Sequence, residues 1–387
     1  MKTIVLGGGA GGIAAACLLR ARLPKEHEVV LVERRPAFHL GASKIWVMLG
    51  LRKREEVEAP LARLTKRGIE IVAADVETID PARREVTTSK GALAADFLVV
   101  ALGADHNLAA VPGLDRAAHT FYDMDASIRL GDAIRSFEGG DILILNPRMP
   151  IKCPPAPYEV AMHLDDVFVG RKIRDRVRLS LATVEPLPMP TAGPEVGRMV
   201  KEEIAKRNIA FHAQKKVRSA DADLKVVVFE DGEMKYDLLI AVPPHEAPKA
   251  ARDAGLVGEK GWIPVDARTL KTKHDRVWAI GDVAGVPLPG RYEPDAPLAL
   301  PKAAVFAEAH ARVVVDQIAA AVEGKPPVAA FDGVGFCTVE MGGQHAMGGE
   351  GRFFAMPAPD VATRVPDKTQ FDDKLAWAAR FMKDYLE

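Results

Sequence analysis

Residues 3–33 read as a single βαβ unit, and that unit commits the chain to a parallel α/β architecture. Ile4-Val5-Leu6 is a short apolar run leading straight into Gly7-Gly8-Gly9-Ala10-Gly11-Gly12. A helical stretch follows from Ile13 to Leu19, then a second apolar run, Val29 to Val32, ending at Glu33. This is G-x-G-x-x-G between a strand and a helix, with an acid about 20 positions on. Gly7 makes the tight turn, Gly9 admits a pyrophosphate to the backbone, and Gly12 lets the helix close on the sheet. Glu33 is placed to accept hydrogen bonds from ribose hydroxyls. Cys17 lies among Ala and Leu on the helix and reads as a small buried apolar residue.

The chain has 387 residues and a formal net charge of −1. That length supports two or three domains, each with its own core. The near-neutral balance argues against nucleic acid as the main partner. No apolar run approaches the roughly 18 residues of a transmembrane helix. A strand begins at Thr3, so no signal peptide is read, and the expected location is the cytoplasm. Three cysteines, Cys17, Cys153 and Cys337, are too few for a disulfide framework. They have no zinc-type spacing with histidines, so no metal is expected.

Two later segments resemble the remaining signatures of glutathione-reductase-like FAD proteins. One is the strand Asp96 to Leu102 with its turn at Gly103-Ala104; the other is Arg276 to Ile280, ending in Gly281-Asp282. The resemblance implies FAD, with Asp282 serving the ribityl and phosphate region. A helix N-cap is the structural alternative for Asp282. The expected fold is α/β, with two Rossmann-like domains plus a C-terminal module. The FAD domain is discontinuous, 1–115 and 245–325. A second, degenerate NAD-type domain spans 116–244, with a hairpin turn at Asp231-Gly232 between 225–230 and 235–242. The C-terminal module is 326–387, after Lys325-Pro326-Pro327.

The second domain has its strand, Asp141 to Leu145, but not its glycine turn. The next residues are Asn146-Pro147-Arg148-Met149-Pro150-Ile151-Lys152-Cys153-Pro154-Pro155. A phosphate cradle needs backbone N–H groups, and proline has none to give. A thiol stands where a nicotinamide site would begin.

Three segments carry a more specific resemblance: Lys152 to Glu159, Pro301-Lys302, and the Cys337 loop, Gly335-Phe336-Cys337-Thr338-Val339-Glu340. At these residues the chain resembles the sulfide:quinone oxidoreductases and the flavoprotein subunit of flavocytochrome c sulfide dehydrogenase. The resemblance implies that Cys153 and Cys337 cycle through a disulfide, and that sulfide is oxidised to sulfane sulfur or polysulfide. Glu159 would manage protons, with an exposed first-turn helix acid as the alternative. Lys302 would lie near the flavin, with a solvated surface lysine as the alternative. His163 and His345 read as structural histidines.

The electron acceptor stays open at this stage. A quinone leads; cytochrome c, a type II NADH:quinone oxidoreductase activity, and a redox-inert interaction subunit are the rivals. Flavocytochrome-type proteins often tether FAD through a cysteine near positions 40–45. This chain has Leu40-Gly41-Ala42-Ser43-Lys44 there, so non-covalent FAD is expected. Residues 371–386 read as an amphipathic helix with Phe371, Leu375, Ala378, Met382 and Tyr385 in one stripe. That stripe suits peripheral membrane contact, packing on its own domain, or a homodimer interface.

Overall fold

The computed structural model describes Met1 to Glu387. The opening unit forms β1 (Lys2–Leu6), α1 (Ala10–Arg22) and β2 (Glu28–Val32), joined by β3 (Glu70–Val72) and β4 (Phe97–Val100). These strands are parallel, in the order β4-β1-β2-β3. Ile4, Val5 and Leu6 are fully buried, as are Leu98, Val99 and Val100. Continuous burial without alternation is the mark of a parallel sheet covered on both faces.

The chain then builds a second sheet from β5 (Gly140–Asn146), α2 (Ala156–Gly170), β6 (Val177–Thr183), α3 (Pro194–Lys206), β7 (Ile209–His212) and β8 (Leu238–Ala241). Its order is β7-β6-β5-β8, again all parallel. Tyr158 and Phe168 of α2 and Val200 and Ile204 of α3 share one core with Ile142, Ile144, Leu179 and Leu181. The opposite face, through Leu143, Leu145 and Leu239, packs on Val227 and Phe229 of an antiparallel sheet. The Asp231-Gly232 turn does join a hairpin, but its second strand is Gly232–Lys235. Leu238–Ala241, read as part of that hairpin, belongs instead to the parallel sheet as β8. Its four residues are all buried, which an outer hairpin strand could not offer.

The chain returns to the first sheet as β9 (Val277–Ala279), parallel to β4, and then forms α4 (Ala304–Val322). Helices α1 and α4 cross closely: a Cβ at Gly11 would lie 3.2 Å from the Ala307 methyl. An antiparallel sheet follows, from β10 (Val334–Gly342), β11 (His345–Arg352) and β12 (Asp360–Thr363), and the chain closes on α5 (Lys368–Leu386).

The buried residues of α5 are Gln370, Lys374, Phe381, Tyr385 and Leu386. The expected stripe is therefore rotated: Phe371, Leu375, Ala378 and Met382 are only half-buried. The cause is packing on this chain's own fold. Phe381 meets Phe38 with ring centroids 5.7 Å apart, and the Cys17 thiol donates to the Tyr385 carbonyl at 3.3 Å. Phe381, Tyr385 and Leu386 thereby join the core of the first sheet. No helix is long and apolar enough to cross a membrane.

Candidate active site

A cavity opens beside the first glycine loop. Gly9, Gly11, Arg35, Gly103, Gly281 and Asp282 line it, and the same wall carries Lys44, Tyr122, Lys152, Cys153, Lys302, Cys337 and Lys374. The three motif glycines have separate jobs. Gly7 has φ +100°, and a Cβ there would sit 2.5 Å from the Ala101 carbonyl oxygen. A Cβ at Gly12 would lie 1.8 Å from the Gly7 carbonyl oxygen. At Gly9 a Cβ would meet nothing within 4 Å. Gly7 and Gly12 are thus required by the backbone itself, and Gly9 leaves room on the cavity side. A pyrophosphate at the N-terminus of α1 fits this cradle.

Glu33 stands behind that wall. The Gly8 N–H donates to its Oε2 at 2.6 Å, and the Arg35 guanidinium grips both carboxylate oxygens at 2.9 Å. Arg35, not Glu33, is the member of the pair that lines the cavity.

Asp282 sits in a single turn of 3₁₀ helix, Gly281–Val283, and caps no longer helix. Its backbone carbonyl accepts from the Lys302 ammonium. Lys302 is 7% exposed, so it is no surface lysine. Its Nζ lies 3.4 Å from the centroid of the Trp262 ring, a close cation–π contact. Burial pushes its pKa down to about 7, helped by Lys152 and opposed by Asp282. Burial and the neighbouring Lys152 and Arg35 bring Lys44 to about 7 as well.

These two lysines give a pH signature. The unfolded chain keeps both protons up to the ordinary lysine range near 10.5, whereas the fold sheds them around 7. The unfolded state therefore binds more protons between these values, and stability rises with pH. Flavin-free protein is expected to resist denaturant better at pH 8.5 than at pH 6. The double variant Lys44→Met/Lys302→Met should flatten that rise; an unchanged slope in equilibrium unfolding would contradict it.

Cys153 lies just before α2, in the left-handed region at φ +52°. Its N–H donates to the Lys302 carbonyl at 2.8 Å, and its own carbonyl accepts from Ala156 at 2.9 Å. The Tyr122 hydroxyl holds the preceding Lys152 carbonyl at 2.9 Å. The proline-rich segment that lacks a phosphate cradle thus pins a thiol to the Lys302 segment. Cys337 comes from β10, opposite Gly349 of β11. Both thiols are free. Both line this cavity, and both also line a second, apolar cavity with Met149, Met189, Val339 and Met347. Cys153 is half-buried and Cys337 is exposed at the cavity; the surrounding protein and then Glu159 push both thiols above their ordinary value.

Glu159 is fully buried in the first turn of α2, which removes the exposed-acid alternative. Its Oε1 accepts from the Glu340 N–H at 2.9 Å and from Lys374 Nζ at 2.8 Å. Lys374 also meets Glu340 Oε1 at 2.6 Å. Glu340 accepts from the Trp46 indole at 3.0 Å and contacts His163 Nε2 at 2.8 Å. Against its burial, Lys374 and then His163 hold the Glu340 carboxyl down at about 2. His163 is thereby a satisfied interior residue. His345 is exposed and contacts the Gly343 carbonyl. Neither Lys374 nor Glu340 was singled out from sequence. Nothing in the sequence marked Lys374, because the apolar stripe read for the last helix did not include it and the inward face became known only from the packing.

At the second nucleotide position the acid is tied up inside the protein. Glu185 follows β6, where a nucleotide domain would place its ribose acid. Here it is 2% exposed and turned inward. Asn146 donates to it at 3.0 Å, Thr183 at 3.0 Å, the Met189 N–H at 3.2 Å, and the Tyr158 hydroxyl completes the set.

Fold and site together define a class: an α/β oxidoreductase with two dinucleotide-type sheets, one working glycine cradle and a thiol pair on its cavity. The chain belongs to the pyridine nucleotide-disulphide oxidoreductase family, whose description matches residues 1–136 and 158–314. The unmatched interval holds Asn146 to Pro155, where the glycine turn is missing. Among curated proteins the chain is similar to the mitochondrial sulfide:quinone oxidoreductase of Dictyostelium discoideum, 27% identical over 74% of this chain and 66% of that one. It is also similar to the sulfide-quinone reductase of Aquifex aeolicus (strain VF5), 26% identical over 97% of this chain and 90% of that one. The X-ray structure of the Aquifex aeolicus sulfide:quinone oxidoreductase superposes with a TM-score of 0.89 at 23% identity, covering 99% of this chain and 91% of that one. The resemblance drawn from the cysteine and lysine segments is found across nearly the whole chain.

Proposed function

We propose that this protein oxidises sulfide through Cys153 and Cys337 and passes the electrons by way of non-covalently bound FAD to a quinone. The observation that carries the reading is that both thiols line both cavities, one beside the glycine cradle and one apolar. The names of the relatives support the same substrate and acceptor.

The chemistry starts from a disulfide between the two cysteines. Hydrosulfide attacks one sulfur; a new S–S bond forms as the old one breaks, leaving a persulfide and a thiolate. Loss of two electrons from that pair re-forms the disulfide and releases zero-valent sulfur. FAD, when bound, supplies the two-electron acceptor that hands on to quinone. Gly9, Gly103, Gly281 and Asp282 would hold it from the cradle side, with Lys302 beneath the Cys153 segment. Glu159 would take the proton of hydrogen sulfide, since it is the carboxylate of the thiol site with an unpartnered buried oxygen, Oε2. The apolar cavity suits growing sulfur chains, which are poorly hydrated.

Anaerobic titration tests the reading. Sulfide should bleach the flavin band at about 450 nm, and a short-chain quinone should restore it. Cytochrome c added alone should not restore it, and NADH should leave the oxidised band intact, because the Glu185 site is filled by protein groups. Rapid bleaching by NADH, or an inert response to sulfide, would overturn the proposal.

A further inference from the structure

We infer that Lys374, carried by the C-terminal helix, is the positioning residue of the thiol site: it fixes Glu159 and supplies the positive charge facing the anion formed on Cys337 and Cys153. The inference rests on these two thiols being the reactive pair. Lys374 is 9% exposed, and its Nζ lies 2.8 Å from Glu159 and 2.6 Å from Glu340. It lines the same cavity as both cysteines. Two carboxylates and one ammonium leave this buried group with one net negative charge. A thiolate or persulfide formed beside it adds a second negative charge. Without Lys374, two buried carboxylates would confront that anion directly, and a buried like-charge pair resists ionisation.

The groups around the thiols come from several elements. Glu159 and His163 are on α2, Glu340 is on β10, and Lys374 is on α5. Lys44, Lys152 and Tyr122 stand on the cavity wall near Cys153. Of the cations, Lys374 is the one that acts on both thiols, lowering the pKa of each against burial and Glu159. The position is also conditional. α5 delivers Lys374 only when its own inward face is docked through Gln370, Phe381 and Tyr385.

The test uses reduced, FAD-loaded full-length protein and follows iodoacetamide labelling of Cys153 and Cys337 separately by peptide mass, across pH 7 to 10. Lys374→Met should slow Cys337 labelling about tenfold at a fixed pH of about 8, as expected when the thiol's pKa rises by about one unit. Lys374→Arg should return the profile toward wild type. Leaving two buried carboxylates unpaired threatens folding, so Lys374→Met/Glu340→Gln, with one charge fewer to balance, is measured alongside. An unchanged Cys337 labelling rate across this range in Lys374→Met and in the double variant would overturn the inference. Labelling needs no sulfide, so this result stands apart from the titration that tests the sulfide reading.

Discussion

Cys153→Ser and Cys337→Ser should each retain bound FAD and lose sulfide-driven bleaching by about a thousandfold or more. A hydroxyl cannot take part in thiol–disulfide exchange, so either substitution removes the electrophilic sulfur on which hydrosulfide acts. Cys153 contributes only its backbone to the contact with Lys302. Cys337 sits on a strand opposite a glycine. Serine is nearly isosteric at both places, and the cavity wall should persist. The flavin spectrum before sulfide is added serves as the folding control. Wild-type bleaching in either variant would eliminate the paired-thiol mechanism.

The second large effect separates two glycines three residues apart. Gly12→Ala should destabilise the protein by about 3 kcal/mol, because the new methyl would fall 1.8 Å from the Gly7 carbonyl oxygen. Neither that oxygen nor α1 can move without disturbing β1. Gly9→Ala meets no such obstacle. It should leave the unfolding midpoint of the flavin-free protein unchanged while weakening FAD binding, since its methyl would point into the cradle. Denaturant unfolding and fluorescence titration with FAD check both. Equal stability losses in the two variants would show that the cradle assignment is misplaced.

Much of this was legible in the sequence for a physical reason. Parallel strands buried on both faces leave continuous apolar runs, and a glycine turn before a helix leaves a fixed spacing. Ile4 to Glu33 and Asp141 to Leu145 carry those marks directly. The Cys153 segment was legible by exclusion, since prolines cannot cradle a phosphate. The charged network was not legible, because its members lie far apart in the chain and each alone resembles a surface residue. Lys374 looked like one more polar position on a helix whose acids and bases balance. Its direction was set by Phe381 and Tyr385 finding the first core, a tertiary choice that rotated the whole stripe. Glu33 shows the opposite limit. The motif put it just after β2, where Arg35, two residues on, claims its carboxylate.

The docking of α5 also bears on the order in which the chain is made. Synthesis delivers Gly7 to Gly12 before Cys153, and Cys153 before Lys374. A chain halted before Lys368 would leave the first core open around Phe38 and Cys17. It would also leave the buried oxygens of Glu159 and Glu340 without their cation. Such a product is a target for proteolysis.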